Sequence, residues 1–144
     1  MAKIITVKEA AELVQDGAVI GSAVQGMTGW PEEIGLAIEN RFMETGHPSG
    51  ITHIHGAGQG DFGRMSEDGK TCRGECALAH DGLLSCSIHG HVGCSFKVTK
   101  QIVDNKILAY NIPLGAVGQI WRGVGRGFPG VLAKGGLGTF MGPR

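Results

Sequence analysis

The chain has 144 residues, a formal net charge of zero, 42% apolar residues and 26 glycines. This length suffices for one domain with its own core, and we expect residues 1–144 to form it. The balanced charge argues against nucleic acid as a partner. The apolar runs fall short of the roughly 20 residues that a membrane span needs, so a membrane is not expected either.

Apolar periodicity and punctuation by glycine and proline predict alternating helices and strands. Thr6 and Glu9 form a capping-box pattern at the start of the first helix, Pro31 opens the second, and Gly46 ends it. In chain order we expect helix 6–15, strand 18–24, helix 31–45, strand 51–55, a short helical segment 75–80, strand 84–88, helix 96–104, strand 107–112 and helix 113–122.

This alternation predicts an α/β fold with a mostly parallel, open sheet and helices on both faces. Ligands of such sheets bind outside the carboxyl ends of the strands. The loops at 25–30, 56–63, 89–93 and 111–115 are therefore the candidate site. The many glycines suit loops in which the main chain approaches a ligand closely.

Two short glycine motifs resemble nucleotide-binding loops. Residues 58–63 match the dinucleotide fingerprint, but residues 64–70 are a poor start for the helix that should hold the pyrophosphate. Gly69-Lys70-Thr71 resembles the end of a Walker loop whose earlier glycine is out of register. We favour plain glycine loops at both places.

Histidines and cysteines offer donors for a zinc site, and a histidine and cysteine metal module is one alternative. The donors are His53, His55, Cys72, Cys76, His80, His89 and His91. Because no Cys-x-x-Cys pair and no usual ligand spacing is present, we expect no metal site. The N-terminus lacks an apolar signal core, so a cytosolic protein with reduced cysteines is expected.

A series of segments in fixed order carries a family resemblance. The segments are residues 19–31, 42–46, Gly58-Gln59-Gly60, 79–84, Gly90-His91, 109–113, 129–131 and 136–140, followed by Pro143-Arg144. In this order they resemble the first half of family I CoA-transferases, above all the acyl-CoA:carboxylate type such as propionate or acetate CoA-transferases. The resemblance covers nearly the whole chain.

The resemblance implies transfer of CoA from an acyl-CoA to a short-chain carboxylate through a glutamyl-CoA thioester. CoA would be a substrate, and no permanently bound cofactor is expected. The family's nucleophilic glutamate lies in a Glu-Asn-Gly sequence of the second half, whereas the only Glu-Asn pair here, Glu39-Asn40, precedes Arg41. We therefore expect no catalytic residue in this chain, which resembles a truncated N-terminal, α-type half and should be inactive alone.

Carried over by position, the resemblance implies a set of substrate-binding residues in the loops. They are Gly26, Thr28, Gly29, Gln59, Gly60, His91, Asn111 and Pro113. Leu114 stands where relatives often carry glutamine. The implied partners are a second CoA-transferase half that carries the glutamate and further copies of this chain. The alternative is a stand-alone, non-catalytic half-domain that self-associates or binds a small ligand.

Overall fold

The computed structural model describes residues 3–23, 26, 28–61 and 72–139. Gly63 of the first glycine motif, all of Gly69-Lys70-Thr71 and the Phe140 to Arg144 end of the family segments lie outside these residues. In chain order the elements are α1 (Val7–Glu12), β1 (Val19–Ser22), α2 (Glu32–Thr45), β2 (Ile51–Ala57), a 3-10 helix (Gly74–Leu78), β3 (Leu84–His91), α3 (Phe96–Val103), β4 (Leu108–Asn111) and α4 (Leu114–Gly125).

The four strands form one parallel sheet in the order β1-β2-β3-β4. Because the chain always steps in the same direction, right-handed crossovers place the connecting helices on one face of the sheet. On that face α1 packs on α2, and the 3-10 helix contacts both α2 and α3. Helix α4 follows the last strand and packs on β2 and β3. The predicted parallel α/β fold with helices on both faces is confirmed.

The helix ends follow from local sequence. Thr6 Oγ1 accepts the Glu9 N–H at 3.2 Å, and Glu9 Oε2 accepts the Thr6 N–H at 2.8 Å, which confirms the capping box. Gly46 ends α2 with a left-handed φ of 75°. Pro31 precedes α2 as its N-cap and does not occupy the first helical position.

Strands β2 and β3 are longer than their sequence pattern predicts. They continue to Ala57 and His91, which pair in register at the end of the ladder. Gly56 and Gly90 interrupt the apolar pattern that would have revealed this extension. A Cβ on Gly90 would lie 2.8 Å from both the Gly56 carbonyl oxygen and Leu114 Cγ, so glycine is needed where α4 begins against the sheet.

The face of the sheet that carries α4 is only partly covered. Trp121 of α4 lies directly over Gly21 of β1, where a Cβ would overlap its ring. On the edge strands, Val19, Leu108 and Tyr110 remain 66%, 63% and 55% exposed. An apolar surface therefore continues past α4 on both edges of the sheet. Among the described residues, no helix combines the length and the apolar character needed to cross a bilayer.

Candidate functional site

All of the predicted substrate-binding residues follow or end a strand at its carboxyl end. Gly26, Thr28 and Gly29 lie between β1 and α2, and Gln59 and Gly60 follow β2. His91 is the last residue of β3, and Asn111 is the last residue of β4. Pro113 is the N-cap of α4. The parallel sheet thus brings the four loops to one edge, as the sequence predicted.

The loop after β1 has the backbone conformation that its glycines allow. Gly26 and Gly29 adopt left-handed φ values of 62° and 76°, and a Cβ on Gly26 would meet no atom within 4 Å. Thr28 is exposed. Open space beside Gly26 leaves room for a ligand, and the role of the three residues stays a prediction.

Gln59 is fully buried, and both ends of its amide are bound by Ser22 of β1. Its Nε2 donates to the Ser22 carbonyl oxygen at 3.1 Å, and its Oε1 accepts the Ser22 hydroxyl at 2.5 Å. Gly60 packs beside Gly74, since a Cβ on Gly60 would lie 2.5 Å from Gly74 Cα. Gln59 therefore fixes the loop after β2 to β1, and Gly60, which is also buried, packs this loop against the 3-10 helix.

His91, Asn111 and Pro113 lie at the carboxyl ends of β3 and β4, and all three are exposed. Leu114 covers Gly90 and is 43% exposed, so the position where relatives often carry glutamine is apolar here and packs on the sheet. The chain after α4 returns to this corner, because a Cβ on Gly135 would lie 2.9 Å from Pro113 Cγ.

The described strands do not enclose a ligand crevice by themselves. Their order runs 1-2-3-4 without the reversal that creates a crevice in doubly wound sheets. A groove of about 770 Å³ does exist, but it lies between α1 and α2 and is lined by residues such as Lys8, Asn40 and Glu44. We place the site at the strand edge and not in this groove, because the groove lacks the convergent backbone groups.

A buried histidine cluster, formed by His53, His55 and His89, lies under the strand edge. The rings of His53 and His55 stack with centroids 4.5 Å apart and an interplanar angle of 11°. Ser87 bridges His55 and His89, since its Oγ lies 3.1 Å from His55 Nε2 and 2.8 Å from His89 Nδ1. Strand periodicity explains the arrangement, because alternate residues of β2 and β3 face the same side.

Glu75, at the start of the 3-10 helix, is fully buried beside this cluster. Its Oε2 lies 3.2 Å from His55 Nδ1, and its Oε1 accepts a hydrogen bond from the Ser95 hydroxyl. Burial raises the pKa of Glu75 to about 8. Burial likewise lowers the pKa of His89 to about 4, and it lowers the pKa values of His53 and His55, so the imidazoles are held neutral.

The sequence analysis did not single out Glu75. Its only sequence clue is an acidic residue directly before the apolar run Cys76-Ala77-Leu78. Within the described part of the chain, His53, His55 and Glu75 place ligand atoms within 4.8 Å of one another and could hold a metal ion. Another of the suggested donors, His80, contacts Glu39 on α2 and is not part of this cluster.

Glu39, the glutamate of the only Glu-Asn pair in the sequence, makes a structural contact within the helix layer. Glu39 is buried on α2, and its Oε1 lies 2.6 Å from His80 Nε2. Arg41, which follows this Glu-Asn pair, donates from Nη1 to the Ala11 and Val14 carbonyls at the end of α1. Glu39 therefore faces the helix layer and not the strand edge.

Caffeate CoA-transferase of Acetobacterium woodii is 38% identical over 144 residues, which are 100% of this chain and 26% of that protein. Acetate CoA-transferase YdiF of Escherichia coli K12 is 30% identical over 98% of this chain. The crystal structure of acyl-CoA transferase YdiF from E. coli O157:H7, a thioester complex with CoA, matches with a TM-score of 0.80 and 28% identity over 96% of this chain and 26% of that chain. The chain is homologous to the N-terminal part of a CoA-transferase. No protein-family model matches it.

The chain spans about a quarter of the length of these CoA-transferases. The family resemblance read from the loop segments is thereby confirmed, and so is the expectation that the chain corresponds to only part of such an enzyme. The alternative of a stand-alone, non-catalytic module gains no support from these relatives.

Proposed function

We propose that this CoA-transferase homologue supplies the strand-edge platform of an enzyme that moves CoA between an acyl-CoA and a short-chain carboxylate. The backbone amides near Gly26, Thr28 and Gly29 contact the reacting carbonyl, and Gly60, His91, Asn111 and Pro113 complete the pocket. The glutamate that carries the thioester comes from a second polypeptide segment packed across the carboxyl ends of the strands. CoA is the substrate, and the cytosol is the expected location.

The single observation that carries the proposal is the convergence of four loops at one sheet edge on a chain homologous to CoA-transferases. Backbone N–H groups in a fixed loop can stabilise the oxyanion that forms when a carboxylate attacks a thioester carbonyl. The buried Gln59 contributes by fixing the loop after β2 to Ser22, which makes it a positioning residue. The absence of a Glu-Asn-Gly sequence in the chain requires the nucleophile to come from elsewhere.

The test is reconstitution of activity from two polypeptides. This chain is mixed with the part of the A. woodii caffeate CoA-transferase that it does not match, and transfer of CoA from an acyl-CoA to labelled acetate or propionate is measured. We expect transfer only in the mixture, and none when the partner's Glu-Asn-Gly glutamate is replaced by glutamine. Transfer by this chain alone, or none with any CoA-transferase partner segment, would contradict the proposal.

A further prediction concerns self-association of the isolated chain. Leu108 and Tyr110 form an exposed apolar strip on the edge strand β4, and covering such an edge stabilises it. We expect light scattering to give a mass above that of one chain, and the double substitution Leu108→Lys, Tyr110→Lys to reduce it. Val103→Lys, at a 71% exposed position on α3, is the control and should leave the mass unchanged. A monomeric wild-type chain would refute this expectation.

A further inference from the structure

The CoA-transferase proposal does not use the buried cluster beneath the strand edge. Two of its members, His53 and His55, are two residues apart on one face of β2, so their rings stack and their nitrogen atoms lie close together. Glu75 approaches them from the 3-10 helix, with Oε2 3.2 Å from His55 Nδ1. All three side chains are nearly or fully buried.

The hydrogen bonds around His53 leave its Nδ1 as a bare acceptor. Gln59 Nε2 must donate to the Ser22 carbonyl oxygen, so Gln59 Oε1 faces the Ser22 hydroxyl and accepts its single proton. Ser22 Oγ, 2.6 Å from His53 Nε2, then accepts the proton of that nitrogen. In the neutral imidazole the remaining nitrogen, Nδ1, carries the lone pair that binds a cation.

His55 is held in a comparable way through its outer nitrogen. Its Nε2 is 3.1 Å from Ser87 Oγ, which also reaches His89 Nδ1, and its Nδ1 is 3.1 Å from the Ala57 carbonyl oxygen. Because a carbonyl oxygen only accepts, His55 Nδ1 carries the proton in this structure and donates it to Ala57. Metal binding requires the proton to move to Nε2, from which Ser87 Oγ can accept it. His55 Nδ1 then exchanges its contact with Ala57 for a cation. Such hydrogen bonds to the outer nitrogen are typical of histidines that bind metal ions.

On metal binding Glu75 loses its proton and supplies the negative charge. Among the described residues its Oε2 accepts no hydrogen bond, and it lies 3.2 Å from His55 Nδ1. A buried carboxylate without a cation carries a large desolvation cost, which a divalent ion would offset. The Ser95 hydroxyl donates to the other oxygen and orients the carboxylate.

We propose that His53, His55 and Glu75 form a binding site for one divalent transition-metal ion of the zinc class. Two imidazoles and one carboxylate are a donor set that zinc accepts, with a fourth position left open. The ligand atoms lie within 4.8 Å of one another and must close to about 3.3 Å, the spacing set by metal bonds of about 2.0–2.1 Å in a tetrahedron. Ring rotation and adjustment of the short 3-10 helix supply this movement.

The test is direct binding of Zn²⁺ and Co²⁺ by the full chain after chelator treatment. We expect one ion per chain, an absorption spectrum of tetrahedral Co²⁺, and a higher melting temperature of the metal-bound protein. Glu75→Gln, which keeps the side-chain volume, should weaken Zn²⁺ binding by more than about 100-fold. Ser22→Ala, which removes the hydroxyl that accepts from His53 Nε2 and donates to Gln59 Oε1, should weaken it by about 10-fold to 100-fold.

The matched controls are His80→Gln, at a histidine that contacts a different glutamate, and Cys94→Ser, at an exposed thiol. Both should bind Zn²⁺ as the wild type does. Failure of the folded wild type to bind, or equal binding by Glu75→Gln and Ser22→Ala, would overturn the proposal. Should Glu75→Gln not fold, the Ser22→Ala affinity and the wild-type Co²⁺ spectrum decide the question, and neither depends on CoA transfer.

Discussion

Gly74→Ala is expected to destabilise the protein by at least about 3 kcal/mol. Gly74 has a left-handed φ of 67°, where an L-residue costs roughly 1–2 kcal/mol. A Cβ there would also overlap the Gln59 carbonyl oxygen and lie 3.0 Å from the Asp61 backbone nitrogen. Backbone atoms of a packed loop cannot rotate away as a side chain can, so the clash adds to the conformational cost.

The matched control is Gly50→Ala. Gly50 has nearly the same φ, 66°, and its N–H also donates a hydrogen bond, but a Cβ there would meet no atom within 4 Å. Gly50→Ala should lose only the stability that corresponds to the conformational cost of the left-handed φ. In urea unfolding, the free energies of unfolding of the two variants should therefore differ by about 2 kcal/mol. Equal losses of stability in the two variants would show that the loop after β2 moves to make room for the added methyl group. The close packing of Gly60 on Gly74 would then not hold this loop in place at the carboxyl ends of the strands.

Replacing His80 by leucine is expected to cost about 2–3 kcal/mol of the free energy of unfolding. The change leaves Glu39 buried without the imidazole that lies 2.6 Å away, and Glu39 Oε2 already accepts no hydrogen bond among the described residues. The His80 side chain is 21% exposed, so water offsets part of the loss and the figure stays below that of a fully buried pair.

The double variant Glu39→Leu, His80→Leu should recover most of that stability, because replacing both partners by apolar groups removes the unpaired charge. A double-mutant cycle followed by urea unfolding measures this coupling. His47→Leu is the control, since its pairing with Asp16 is exposed and the loss should be much smaller. Additive losses at Glu39 and His80 would contradict a structural role for this glutamate.

Local sequence was sufficient to predict the order of the elements. The capping box at Thr6, the terminator Gly46 and the alternation of apolar segments each act over a few residues, and each appears in the structure where the pattern predicted it. The ends of the elements were predicted less well: α1 ends at Glu12 and not at residue 15, and β2 and β3 are longer than predicted. Gly56 and Gly90 hid the last residues of β2 and β3, because a strand position filled by glycine has no side chain to reveal its face.

The loops of the site were predicted, but the behaviour of their side chains was not. The family resemblance implied Gln59 as a substrate-binding residue, and in the structure Gln59 is buried and bonded to Ser22 on a neighbouring strand. That contact joins residues 37 positions apart, and it depends on the parallel register of β1 and β2. No local pattern contains that information.

The sequence by itself determined that this chain is a parallel α/β unit with its loops at one sheet edge, that it resembles a CoA-transferase, and that it contains no Glu-Asn-Gly nucleophile. Only the tertiary structure decided that Glu75 lies against His53 and His55 and that Glu39 pairs with His80. The physical reason is the distance along the chain over which each interaction acts. Periodicity and capping are set by neighbours along the chain, whereas burial and pairing of a charge are set by which helix packs over which strand.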